Sequence, residues 1–420
     1  MIIPSGNTLA ILCGGGPAPG INSVISAVTI EAEKHDWKVL GIYDGFAHLA
    51  KGEKQVVQLT TDMVSRIHLE GGSILRMSRF NPTKSDEILA RVVSTLIDLG
   101  VTHLVTIGGD DTAYSASQIS AYAKRHQGVA VNIVHVPKTI DNDLPLPEGI
   151  PTFGFETARS TGAAIVGNLV EDAKTTGRWY FAIAMGRTAG HLALGIGKSS
   201  GATLTIIPEE FTESQVRLQK IVDILTGSMI KRLASGRNHG VAVIAEGIIE
   251  KIAAEDLAEL DGACRDEHGH IRYAEIKFGD LLKRAVAKEL QAAGIKMTIV
   301  DKEIGYELRC AAPIAFDIDY TRNLGYAAVE FLLKGETDAM ITIQDNQVKP
   351  LAFDQIRDPV TGKTRIRRVN TRSLSYQVAK SFMIRLEEND FKSPVLLKKL
   401  ALVTNATPDD FIKKYQDVVG

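Results

Sequence analysis

Cysteine is nearly missing from this chain: Cys13, Cys264 and Cys310 are all it has in 420 residues, widely spaced and with no CxxC pair. That scarcity excludes a disulfide framework and a structural zinc site, and it points to a reducing compartment. An excess of either charge is missing as well. The net charge is −2, which argues against nucleic acid or an anionic membrane as a partner, since both need a clustered positive surplus. No apolar run approaches the length of about eighteen residues that a membrane span needs. The opening Met1-Ile2-Ile3-Pro4-Ser5 lacks the basic flank and apolar core of a secretory signal, so a cytoplasmic protein is expected. Low-complexity tracts, Pro/Ser-rich linkers and short internal repeats are lacking too. Hydrophobic residues at 45% and charged residues at 23% are ordinary for a globular protein, and the length favours two lobes or more.

What the chain does have is alternation. Strand-length apolar runs at Thr8–Leu12, Val39–Tyr43, Val101–Ile107 and Val129–Val136 are separated by helical periodicity. Ile21, Val24, Ile25 and Val28 share one helix face, and Ile88, Leu89, Val92, Leu96 and Leu99 mark another helix, stopped by Gly100. Thr112 is placed as an N-cap for a helix over Ala113–His126 that ends before Gly128. The second half repeats the theme, with strands at Trp179–Ala184, Thr203–Ile207, Val241–Ala245 and Met297–Val300 and helices at Ala189–Ser200 and Asp280–Ala293. Such an order implies an α/β fold with parallel sheets covered on both faces. Over Lys349–Asn370 the rhythm fails. Asp358-Pro359-Val360-Thr361-Gly362 reads as a turn between two exposed strands, with Arg365, Arg367 and Arg368 on a solvated face.

Three patterns promise chemistry and do not deliver it. Gly14-Gly15-Gly16-Pro17-Ala18-Pro19-Gly20 has Pro19 where a dinucleotide fingerprint needs its third glycine. Gly197-Lys198-Ser199 ends like a phosphate-binding loop, but Leu192 stands at the leading glycine and the stretch lies in a helical pattern. His191 and His239 have no partners at metal-ligand spacing.

Others survive. Gly14–Gly20 still joins a strand to a helix N-terminus, where an anion is favoured; a ligand loop and a plain tight turn weigh equally there. Gly108-Gly109-Asp110-Asp111 puts two acids on a glycine turn at a strand end, where open α/β sheets bind ligands. Carboxylates repel phosphate unless a cation stands between, so Asp110 suits Mg²⁺; a solvated acidic turn is the even alternative. Pro137-Lys138-Thr139-Ile140-Asp141-Asn142-Asp143 again follows a strand. A carboxylate there can take a proton from an attacking hydroxyl, and Lys138 is a compact cation for a phosphoanhydride oxygen; an Asp/Asn-rich turn is the bland alternative.

These segments, taken in order with Ser78-Arg79-Phe80, Gly154–Ala158, Met185-Gly186-Arg187, Ala245-Glu246-Gly247 and Gly305-Tyr306-Glu307-Leu308-Arg309, resemble the phosphofructokinase family from residue 8 to about 330. The resemblance implies two three-layer α/β/α lobes with mainly parallel sheets and the active site in the cleft between them. It places a donor- and Mg²⁺-binding lobe at 1–152, completed by part of 308–375. A sugar-phosphate lobe follows at 153–307, completed by 376–420. It makes Asp141 the general base toward the 1-hydroxyl of fructose 6-phosphate, with Asp143 assisting and Asp110 on the metal. Gly15, Gly16, Arg79, Asp111 and Lys138 would hold the donor. Thr139, Ile140, Asp141, Met185, Gly186, Arg187, Glu246, Tyr306, Glu307, Leu308 and Arg309 would line the sugar-phosphate site, with Arg187 and Lys138 also acting in catalysis. Arg178 would reach a neighbouring subunit's site, implying a homo-oligomer, dimer or tetramer. Asp111 and Lys138 stand where the ATP-using branch has glycine, so the resemblance is to the pyrophosphate-using branch, with an ATP-dependent enzyme or a non-catalytic regulatory subunit as the rivals. Ile299 occupies the place of a family arginine; Lys302 and Lys296 both lie near enough to supply its phosphate contact.

Overall fold

The structure is a computed structural model that describes residues 6–126, 131–258 and 276–419. The chain divides into two compact units, one of residues 1–158 and 306–367, the other of 159–305 and 368–420.

The first unit is built on a seven-stranded sheet. Its strands are β1 (Thr8–Cys13), β2 (Lys38–Ile42), β3 (Val56–Leu59), β4 (His103–Gly108), β5 (Asn132–Pro137), and later β10 (Ala339–Met340) and β13 (Leu351–Ala352). They lie in the order β13-β10-β5-β4-β1-β2-β3, with the inner strands parallel and the two edges, β3 and β13, antiparallel. Side chains alternate across β1: Leu9, Ile11 and Cys13 join one apolar cluster while Ala10 and Leu12 join another. The first cluster is closed by helices Ile21–Lys34 and Ala315–Leu333, the second by helices Asp86–Asp98 and Asp110–His126. A sheet buried on both faces needs continuous apolar strands, and these strands supply them.

The second unit holds a four-stranded parallel sheet of β6 (Trp179–Ala184), β7 (Leu204–Ile206), β8 (Gly240–Ala245) and β9 (Ile299–Ile304), in the order β7-β8-β6-β9. Near the chain end a smaller core gathers Leu386, Leu397, Leu400, Phe411 and Tyr415 around Ile230. A short hairpin of β11 (Ile343–Gln344) and β12 (Gln347–Val348) belongs to the first unit. No helix among the described residues is long and apolar enough to cross a membrane.

Most expected elements are present, with instructive shifts. The strand expected at Met297–Val300 starts at Ile299 and runs on through Lys302 and Glu303 to Ile304. β9 is an edge strand, so polar side chains there can face water and the apolar run alone does not mark its length. The expected start of the strand at Val129 and the stop at Gly128 lie outside the described residues, as does Cys264. Cys13 is buried and Cys310 exposed, both as free thiols. Gly197-Lys198-Ser199 lies inside helix His191–Ser200, which removes the phosphate-loop reading on conformational grounds.

Candidate functional site

In the first unit three loops emerge at the carboxyl ends of neighbouring strands β1, β4 and β5. The helix after β4 begins at Asp110, not at Ala113, and Thr112 is therefore buried in its first turn rather than capping it. The reason is steric. A Cβ on Gly14 or on Gly108 would lie only 2.4 and 2.3 Å from the Thr112 side chain, so the threonine wedges between two glycine loops. Asp110 and Asp111 sit at the positive end of that helix, which favours their charge. Asp110 is half-buried and Asp111 exposed.

His135, in the middle of β5, is fully buried between these loops. Its Nε2 lies 3.0 Å from the Gly108 carbonyl and its Nδ1 2.8 Å from the Thr106 hydroxyl. Desolvation pushes its pKa down to about 3, so the ring is neutral, with Nε2–H donating to Gly108 and Nδ1 accepting from Thr106. The Lys138 N–H donates to the same Gly108 carbonyl at 2.8 Å.

Lys138 is buried. Its Nζ donates to the Gly16 carbonyl at 2.5 Å and lies 3.4 Å from where a Gly15 Cβ would sit. Burial lowers its pKa to about 8 against the pull of Asp141 and Asp143. Arg309 approaches from helix Tyr306–Arg309, its guanidinium carbon 3.1 Å from a Cβ placed on Gly16 and 5.4 Å from the centre of the Tyr306 ring. Two cations thus converge on Gly15 and Gly16. Arg79 is exposed on the segment that hydrogen-bonds this loop, where the Gly15 N–H donates to the Ser78 carbonyl at 2.9 Å.

Thr139, Ile140, Asp141 and Asp143 are all buried at the end of β5. The Asp141 N–H donates to the Thr139 hydroxyl at 3.0 Å, and Asn142 between the acids has a left-handed φ of 56°. Arg367, read from sequence as part of a solvated face, is instead half-buried against this loop and bonded to it; only Arg365 and Arg368 of the three are exposed. The expected turn at 358–362 is present, with the Asp358 carboxylate accepting from the Thr361 N–H at 2.7 Å, but the two strands expected beside it are reduced to a single bridge between Arg357 and Thr364.

In the second unit Met185, Gly186 and Arg187 follow β6 directly. The Glu246 carboxylate accepts from the Gly186 N–H at 3.0 Å and the Arg187 N–H at 2.7 Å. Gly247 must be glycine, because a Cβ would come within 2.2 Å of the Arg187 carbonyl. Glu209, a residue the sequence did not single out, accepts from the Gly190 N–H at 3.0 Å and the Val369 N–H at 3.0 Å. Burial raises its pKa against those bonds. Arg178 precedes β6 while Arg187 follows it, so a strand of six residues separates them, about 20 Å of extended chain. Lys302 lies toward the carboxyl end of β9 and Lys296 before its start. Leu308 is buried, whereas Tyr306 and Glu307 are exposed in the first unit.

Among the described residues, the one His/Cys/Asp/Glu group with three ligand atoms within 4.8 Å of one another is Glu31, His35 and Glu330. It lies on helices Ile21–Lys34 and Ala315–Leu333 and the residue after the first, not on these loops. The loops offer separate carboxylates instead, an oxygen-only donor set of the kind Mg²⁺ uses, taking one or two carboxylates and keeping its other positions for phosphate and water.

A sequence in Thermotoga maritima named pyrophosphate–fructose 6-phosphate 1-phosphotransferase is 54% identical over 413 residues, covering 97% of this chain and 97% of that protein. One of the same name in Naegleria fowleri is 50% identical over 422 residues, covering 98% and 96%. Among solved structures, phosphofructokinase from Saccharomyces cerevisiae superposes with a TM-score of 0.65 at 20% identity over 98% of this chain; the chain spans 50% of the length of that yeast chain. The phosphofructokinase sequence pattern itself matches residues 8–332, which takes in the loops after β1, β4, β5 and β6, and the chain belongs to the phosphofructokinase family.

Proposed function

We propose that this protein reversibly transfers a phosphoryl group from pyrophosphate to the 1-hydroxyl of fructose 6-phosphate, yielding fructose 1,6-bisphosphate and phosphate. The two relatives at 54% and 50% identity carry that activity in their names. The observation that carries the reading is Lys138, a buried cation tied to the Gly16 carbonyl with Arg309 beside it. Two cations on a glycine loop suit a small, dense polyanion. Asp111 adds a negative charge at the same helix start, which opposes a bulky nucleotide triphosphate more than it opposes pyrophosphate shielded by a cation.

Asp141 takes the proton of the 1-hydroxyl as that oxygen attacks phosphorus, and the anhydride bond breaks to release phosphate. Asp143 supports Asp141. Arg79, Gly15, Gly16, Asp111 and Lys138 hold the donor; Thr139, Met185, Gly186, Arg187, Glu246, Tyr306 and Arg309 serve the sugar phosphate. Arg187 also balances charge on the moving phosphoryl group. Arg309 sits against the donor loop, so it serves both substrates. Lys302 takes the sugar-phosphate contact left by Ile299, because it lies toward the carboxyl end of β9 and Lys296 does not. Asp110 would hold Mg²⁺, which when bound neutralises phosphate charge. Arg178, a strand's length from Arg187, completes the site of a second subunit in a dimer or tetramer. Exchange of an anhydride for an ester between these partners serves glycolysis or its reversal in the cytoplasm.

The test is bisphosphate formation with Mg²⁺ and either pyrophosphate or ATP as sole donor. Turnover with pyrophosphate alone is expected. The pair Asp111→Gly with Lys138→Gly should then admit ATP. Turnover of the unaltered protein with ATP alone would refute the donor assignment and leave Asp141 in place.

A further inference from the structure

We infer that Arg367 is a positioning residue that sets the geometry of the general-base loop. The inference rests on the reading of Asp141 as the base. The loop from Thr139 to Thr152 is closed on itself: the Thr152 hydroxyl donates to the Thr139 carbonyl at 2.7 Å, and the Thr152 N–H donates to the Asn142 side-chain oxygen at 3.0 Å. These bonds fix its two ends and leave its interior carbonyls, those of Asn142, Leu146, Pro147 and Ile150, turned toward one place.

Arg367 fills that place. Its Nε donates to the Asn142 carbonyl at 3.1 Å, and its Nη1 faces the carbonyls of Leu146 at 3.2 Å, Pro147 at 3.1 Å and Ile150 at 2.8 Å. Its Nη2 donates to the Asn142 side chain. The backbone joins in, the Arg367 N–H donating to the Asp143 carbonyl at 2.7 Å. One residue therefore holds the carbonyls of both residues that follow Asp141, Asn142 and Asp143. A planar guanidinium has five N–H donors in a fixed fork and can meet such a set; an ammonium on a flexible stem cannot.

Position matters here more than stability. Asn142 has a φ of 56°, so the turn that aims Asp141 depends on its surroundings to stay in a sparsely populated conformation. A misplacement of about 1 Å in a catalytic group costs roughly 10²-fold in rate. Arg367 also brings its positive charge to a loop that carries two carboxylates, and the nearby Asp143 favours the charged guanidinium against its burial.

The experiment compares Arg367→Lys and Arg367→Gly with the unaltered protein, taking kcat and KM for both substrates at a temperature where melting curves show each variant folded. Arg367→Lys should lose about 10–100-fold in kcat, with both KM values within about threefold. Millimolar guanidinium should restore Arg367→Gly at least about tenfold and leave the unaltered enzyme unstimulated. A kcat within twofold of the unaltered enzyme in Arg367→Lys would overturn the inference, as would a rise in KM with kcat intact. If Arg367→Gly does not fold, Arg367→Lys decides. Asp141→Ala separates the two readings: retained turnover there sinks the base assignment itself, whereas a dead Asp141→Ala beside normal Arg367 variants sinks only the role of Arg367.

Discussion

The Thr139–Thr152 loop of the first unit and the Met185–Gly190 loop of the second are braced by opposite charges. Each follows a buried parallel strand, and each contains one non-glycine residue in the left-handed region, Asn142 at φ 56° and Arg187 at φ 52°. The first loop carries carboxylates and is held by a cation, Arg367, which gathers its carbonyls. The second presents a cation, Arg187, and is held by carboxylates, Glu246 and Glu209, which gather its N–H groups. The charge in the frame thus opposes the charge on display. This lowers the cost of concentrating like charge on one short loop, and it satisfies backbone groups that no helix or sheet can reach. Asn tolerates the left-handed region and arginine does not, so the second loop leans harder on its frame.

The sharpest way to break the comparison is to remove what the first loop displays. Asp141→Asn keeps the shape and removes the proposed base, so kcat should fall by roughly 10²–10⁴. Calorimetric binding of fructose 6-phosphate should change little; a loss of binding equal to the loss of rate would make Asp141 a binding group only. Next in size is the frame of the second loop. Glu246→Ala leaves the Gly186 and Arg187 N–H groups without their acceptor, each a loss on the order of 1–3 kcal/mol where water does not replace it. The kcat/KM for fructose 6-phosphate should drop about 10–100-fold, while the KM for pyrophosphate holds. An equal effect on both substrates would show that Glu246 supports the whole fold and not the Arg187 loop.

Much of the display was legible in the sequence, and little of the frame was. Gly108-Gly109-Asp110-Asp111 and Lys138–Asp143 stand out because acids and glycines interrupt β-branched runs, a local signal. Arg367 reaches Asn142 across 225 positions, and nothing in Arg365-Ile366-Arg367-Arg368 separates the half-buried arginine from its exposed neighbours. Polar alternation there looks like a strand face washed by solvent. Glu209 is hidden in the same way, one of two adjacent glutamates after β7. His135 did leave a trace, since a histidine amid Ile133, Val134 and Val136 must find partners for both nitrogens when buried. Thr112 is a good cap by composition, which puts the expected helix start at Ala113 rather than at Asp110. Its side chain is instead consumed by packing on Gly14 and Gly108.

The smallest expected effect tests whether a cation on the first unit's own loops answers to the donor. Burial holds Lys138 at a pKa of about 8, below the usual lysine range, so the free enzyme loses that charge as the pH rises through 8. On the proposed donor role of Lys138, pyrophosphate needs the charged form. The kcat/KM for pyrophosphate, which reports groups of the free enzyme, should therefore fall on an alkaline limb near pH 8, by about tenfold at pH 9. Once pyrophosphate is bound, its negative charge favours the protonated amine. The limb in kcat/KM for fructose 6-phosphate at saturating pyrophosphate should accordingly move to higher pH. Lys138→Met should abolish the first limb along with most donor affinity. A limb that survives that substitution would belong to another group, and the buried lysine would then be a brace for the Gly16 carbonyl rather than a contact for the anion.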